Sequence, residues 1–167
     1  MDGKLRYIES FMDTKEIIEG LMPDDRHNVV PAAWAIIHSN DTQMLSAVSD
    51  ALPVIATAVN HLPPNSEPAF RDYRFAPALA VPVLTCFKQA DSCRCSLYPA
   101  SNGLDPEKEQ RLGFIKIIKE EDHLEEYRVE YTCICAHGET HFETILDESY
   151  PYPLWYWKRV DRPLSGS

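Results

Sequence analysis

Apolar residues recur along this chain with two different periods, and the change falls near residue 68. In residues 5–21, Ile8, Phe11, Ile18 and Leu21 lie near one helical face. Asp13 and Glu16 stand three apart, the spacing of a capping box that restarts the helix. Residues 22–27, MPDDRH, read as a turn. Pro31 then suits the first turn of a second helix over 31–39, with Ala32, Trp34 and Ile37. Leu45, Val48, Leu52, Ile55, Val59 and Leu62 form one apolar stripe on a helix over 42–61. The stripe is too short for a coiled-coil seam and lacks its charged flanks, so it reads as a core face. Pro53 interrupts it. Proline removes one backbone bond and clashes with the preceding turn, which predicts a kink or break near Asp50; the unbroken phase favours a kink.

Residues 62–68, LPPNSEP, end the helical region. Beyond them the period becomes two, with strands expected at 79–87, 93–98, 111–119, 125–136, 140–147 and 154–160. Pro82 makes the first an edge or bulged strand. Residues 101–106, SNGLDP, read as a loop and 120–125, EEDHLE, as a charged tip. The expectation is a single α+β domain over 1–167. Helices at 5–21, 31–39 and 42–61 occupy a helical region spanning residues 1–62. A connection at 62–68 leads to a mostly antiparallel sheet of 5–6 strands within 69–160, and 161–167 is a short tail.

Charge changes the picture of partners. The net charge is −10, with 9 acids and 4 bases in residues 1–62 against 17 and 12 in 63–167, so the excess is spread evenly. Such a surface repels phosphate backbones and anionic lipid and favours a protein partner with a basic surface. Nucleic acid and membrane are therefore not expected partners. The first eleven residues, MDGKLRYIESF, hold no apolar core of a signal peptide, and the longest uncharged run, 51–66, contains three prolines. Five cysteines, an odd number, then suggest reduced thiols and a cytoplasmic location.

The densest candidate chemistry is residues 131–141, YTCICAHGETH. Tyr127, Val129, Tyr131, Cys133 and Cys135 share one face of a strand; Arg128, Glu130, Thr132 and Ile134 share the other. A two-residue loop at His137 and Gly138, with the glycine at positive φ, sets Cys133 opposite Phe142, Tyr131 opposite Thr144 and Val129 opposite Leu146. His141 then lies opposite Ile134, on the face away from both cysteines. A register longer by one would bring Cys135 to His141 but turn Phe142 to the polar face, which the hydrophobic pattern resists. Spacing adds a second objection to a metal. In an extended Cys-x-Cys the two residues are about 6.6 Å apart, whereas two thiolates on one zinc lie within roughly 4 Å. Cys93 and Cys95 share that handicap unless Asp91 and Ser92 form a turn that bends the segment. The expectation is therefore no metal and no cofactor, with thiols packed as small hydrophobes. A composite site from Cys93, Cys95, Cys133 and Cys135 is the alternative.

Two further groups stand out. Glu120, Glu121, Asp122, Glu125 and Glu126 crowd the expected tip, either to dock a basic surface or to discourage edge-to-edge strand pairing. Trp155 and Trp157, with Arg159, lie on one face of the last strand and offer either a binding hot spot or the final layer of the core. The histidines at 27, 38, 61, 123, 137 and 141 are dispersed, and no nucleophile, phosphate-loop or dinucleotide motif accompanies them. Asp72, Asp147 or Glu148 would have to orient any histidine acting as a base. The leading expectation is a non-catalytic binding protein of inhibitor, immunity or adaptor type, working through the acidic and aromatic residues. A small enzyme or ligand carrier is the competing expectation, with a pocket lined by Tyr127, Tyr131, Phe142 and Trp155 or Trp157. A zinc-stabilised module is the third.

Overall fold

A computed structural model describes residues 12–22, 28–63, 74–89, 93–149 and 153–160. Expectations for 5–11, the 23–27 turn with His27, the connection beyond Pro63, Asp72, Asp91 and Ser92, and the 161–167 tail lie outside these residues. The chain is α+β, with helices preceding a four-stranded antiparallel sheet.

Helix α1 (Thr14–Gly20) opens on the expected box: Asp13 Oδ1 accepts from the Glu16 N–H, and Glu16 Oε2 accepts from the Asp13 N–H, each at 2.8 Å. Helix α2 (Val29–Ile37) carries Pro31 in its first turn and buries Val29, Ala32, Ala33, Ile36 and Ile37. The stripe over 42–61 is split into α3 (Thr42–Asp50) and α4 (Leu52–Asn60), which meet at 69°. Pro53 sits in the first turn of α4, where its missing N–H costs nothing. Leu45, Val48, Ile55 and Leu62 nevertheless all reach the core.

Two expected strands are not strands. Residues 79–87 belong to α5 (Phe75–Lys88), which carries Pro82 in its interior. The run Leu79 to Phe87 is apolar almost throughout, and such a run fits a buried helix as well as a buried strand. Its buried members, Ala76, Leu79, Ala80, Val83 and Leu84, recur at helical spacing. Residues 93–98 form a turn closed by the Leu97 N–H on the Arg94 carbonyl (2.9 Å), leading into a 3-10 turn at Tyr98–Ala100. Arg94 is buried there while Cys93 and Cys95 are half-buried. The loop read over 101–106 ends in a helix start. Asp105 caps α6 (Pro106–Arg111) by accepting from the N–H groups of Glu107 and Lys108.

That helix displaces the next strand, so β1 runs Ile115–His123, followed by β2 (Arg128–Cys135), β3 (His141–Asp147) and β4 (Leu154–Val160) in the order β1-β2-β3-β4. Among the described residues the sheet therefore has four strands, not 5–6. Cys133 pairs with Phe142, Tyr131 with Thr144, Val129 with Leu146 and Ile134 with His141, as the hydrophobic pattern requires. The positive φ expected at Gly138 does not occur; among the described glycines it belongs to Gly113.

Residues 93–112 join the helices to the sheet. Tyr98 stacks on Trp157 at 4.2 Å and meets Phe142 edge-on at 5.1 Å. Such ring pairs contribute ~0.5–1.5 kcal/mol each beyond burial. Trp157 also donates its Nε1–H to the Leu104 carbonyl (2.8 Å). On the other side, Arg94 donates to the Ile37 carbonyl (2.7 Å) and the Ser39 carbonyl (3.0 Å), satisfying the open end of α2. It also pairs with Glu109 Oε1 at 3.0 Å, both residues being buried. Tyr98 donates its hydroxyl to Glu109 Oε2 (2.9 Å). Burial lifts the Glu109 carboxyl above its ordinary range, while Arg94 and Tyr98 pull it back.

Beside this network, burial holds the His38 imidazole down to about 4, with Lys108, Arg94 and Arg111 adding to the effect. The ring stacks on Trp34 at 4.9 Å. The unfolded chain therefore binds the proton first, so stability is whole above about 6.5 and falls as pH drops toward 4. For this partly solvated ring the loss should be ~1–2 kcal/mol. Urea unfolding of the wild type and His38→Gln at pH 7.5 and pH 5 checks this: the variant should lose less stability on acidification.

Candidate metal centre

Arg94 organises the site. With its guanidinium drawn inward to Ile37, Ser39 and Glu109, and lying 3.9 Å over the Phe114 ring, the flanking Cys93 and Cys95 are left half-buried in a turn. Strand β2 meets them from the other side. Its inward face carries Tyr131, Cys133 and Cys135, and Cys135 is the last residue of the strand. There Cys135 pairs with Ile115, and the Ala136 N–H reaches the Phe114 carbonyl (3.0 Å). The sulfurs of Cys93, Cys95 and Cys135 lie within 4.8 Å of one another. Four ligands at about 2.3 Å around a tetrahedral zinc stand about 3.8 Å apart, so rotamer adjustments of about an ångström close the trio on one ion.

Both spacing objections now have a resolution. Residues 93–95 are not extended: the turn brings their sulfurs together. Cys133 and Cys135 are extended, and there the objection holds, since Cys133 does not belong to the cluster. Its thiol is fully buried at the Phe142 position and is pushed up to about 12 by burial, with Thr144 opposing slightly. The alternative set of four cysteines thus reduces to three. His141 pairs with Ile134 on the opposite face, as expected, and stays away from the sulfurs.

All five cysteines are free thiols. Burial, followed by hydrogen bonds with Cys135 and Cys93, raises the Cys95 thiol well above its ordinary value. A nucleophilic cysteine needs the opposite shift. The His137 N–H donates to the Cys135 sulfur at 3.4 Å, orienting that sulfur from the backbone of the β2–β3 turn.

The remaining candidates separate. Glu120, Glu121 and Asp122 lie in β1, the edge strand, rather than at a tip; Glu125 and Glu126 lie in a 3-10 turn, Leu124–Glu126, and all five are exposed. Two are balanced locally: Glu121 by Lys119 (2.8 Å), whose hydrogen bond lowers its carboxyl, and Glu126 by Arg128 (3.0 Å). Trp155 and Trp157 are each 7% exposed and pack inward, so neither ring belongs to an exposed binding face. Arg159 stays exposed, opposite Phe142 in the neighbouring strand. The pocket envisaged for an enzyme or carrier is closed by its own lining: Phe142 and Trp157 pack on each other and on Tyr98, and Tyr131 packs on Trp155. Tyr127 is 67% exposed and far from that role.

Sequence reasoning missed Arg94 and Glu109, which set the site. A buried arginine carries no local signature. The Asp105-Pro106-Glu107 helix start was legible, however, and would have placed Glu109 on a helix. No protein-family model, curated protein or solved structure matches this chain.

Proposed function

We propose that the protein is a zinc-binding α+β module, in which the metal clamps the 93–97 turn to the end of β2 and the folded module serves as a non-catalytic binding protein. One observation carries the metal reading: three thiols from segments some forty residues apart converge to within 4.8 Å, on a turn whose intervening arginine anchors it to the core. Soft thiolates in a tetrahedral arrangement suit zinc. Elemental analysis of protein purified without chelator tests it directly. One zinc per chain, lost in Cys95→Ser and Cys135→Ser but retained in Cys133→Ser, is the expected result; metal-free protein that also fails to take up cobalt overturns it.

The binding reading rests on the free end of the β1–β2 hairpin. Leu124 and Tyr127 are 77% and 67% exposed there beside the Glu125 carboxylate, and Ile118, further along β1 with Glu120 and Asp122, is 54% exposed. Tyr127 is held at φ 51, ψ 44, a left-handed conformation that costs a bulky residue ~1–2 kcal/mol. Strain of that kind accompanies functional tips. The chemistry suits a basic protein partner that offers an apolar cleft. Capture of such a protein should weaken with salt and disappear in Leu124→Ser/Tyr127→Ser; capture that the double variant leaves intact counts against this surface.

A further inference from the structure

We infer that His137 supplies the fourth ligand, closing the site as Cys93, Cys95, Cys135 and His137. This rests on the zinc reading above and decides what kind of zinc site it is. A site with four protein ligands is structural; one with three and an open position holds a reactive water. The question therefore separates a binding module from a hydrolytic one.

Three observations place His137 there. Its own N–H lies 3.4 Å from the Cys135 sulfur, so the root of the imidazole stands beside the trio. Strand β2 ends at Cys135 and the chain turns through 136–139, so the reach of about 6.6 Å that separates Cys133 from Cys135 does not apply between Cys135 and His137. His137 is also exposed, which leaves its side chain room to swing on to a metal without displacing core atoms. The nearby rivals fit less well. His141 is on the far sheet face, and the Cys86 sulfur is directed to Ser96 Oγ (3.5 Å). Charge points the same way. Three thiolates and a neutral imidazole leave a zinc centre at −1, whereas a fourth thiolate would leave it at −2 in a chain already at −10.

Titration of the metal-free full chain with Co2+, read by visible absorption, tests the assignment. His137→Asn should bind at least ~10-fold more weakly, since loss of even an outer-shell partner costs a metal site ~10–100-fold. Its spectrum should change as water takes the vacated position. His137→Cys should restore tight binding and strengthen the sulfur-to-cobalt charge-transfer band, and Cys86→Ser should match the wild type. An unchanged spectrum and affinity in His137→Asn overturns the assignment, as does a loss in Cys86→Ser equal to that in Cys95→Ser. Absence of cobalt binding by the wild type overturns the zinc reading itself, and this inference with it.

Discussion

Chelation of the zinc proposed for the Cys93, Cys95 and Cys135 cluster should lower the melting temperature by about 5–15 °C. A ligand held at 100 to 1,000 times its Kd stabilises the native state by ~2.7–4.1 kcal/mol, and each kcal/mol moves the midpoint of a chain this size by ~2–4 °C. The loss is smaller than in a zinc finger because the core that joins the helices to Phe142, Trp155 and Trp157 is already substantial. Two cysteine variants separate clamp from packing. Cys135→Ser should melt at the chelated temperature and respond no further to chelator. Cys133→Ser should also be destabilised, because it exchanges the thiol for a smaller, more polar hydroxyl in a fully buried site, yet keep its full chelator response. Differential scanning calorimetry with and without added zinc measures both. Equal chelator responses in the two variants would deny Cys135 its role.

The second large effect is expected from Glu109→Ala, at about 3–5 kcal/mol of unfolding free energy. The substitution leaves the Arg94 guanidinium buried with its charge unpaired and removes the acceptor of the Tyr98 hydroxyl. An exposed carboxylate such as Glu120 should matter by less than ~0.5 kcal/mol on truncation. Glu109→Gln, which keeps an acceptor for both partners, should fall between them. Arg94 lies between two of the proposed ligands, so Glu109→Ala should also weaken cobalt binding although Glu109 is not proposed as one. Urea denaturation together with the cobalt titration would show it. A Glu109→Ala protein as stable as the wild type would mean that the buried pair is offset by its own desolvation.

Local signals identified those elements whose environment matches their pattern. The Asp13–Glu16 box, the pairing of Cys133 with Phe142 and the β4 boundaries all follow from rules that act within a few residues or across one hairpin, whereas the kink favoured at Pro53 is a 69° break between two helices. Register in particular was legible, because a slip of one residue would have turned a whole apolar face to water. The failures share a different cause. In residues 79–87 nearly every position is apolar, so no period distinguishes helix from strand, and packing against α2 decides for helix. Residues 93–98 form a turn and not the expected strand, because the charged Arg94 side chain finds buried partners far along the chain.

By itself, then, the amino-acid order determined the α+β class, the register of β2 on β3 and the separation of His141 from the cysteine face, since each depends on short-range periodicity and backbone reach. Tertiary structure alone decided that Trp155 and Trp157 are core and that Cys93 and Cys95 meet Cys135. Those outcomes depend on where Arg94 finds a carboxylate and two open carbonyls, and contacts between segments so distant leave no imprint on the local pattern.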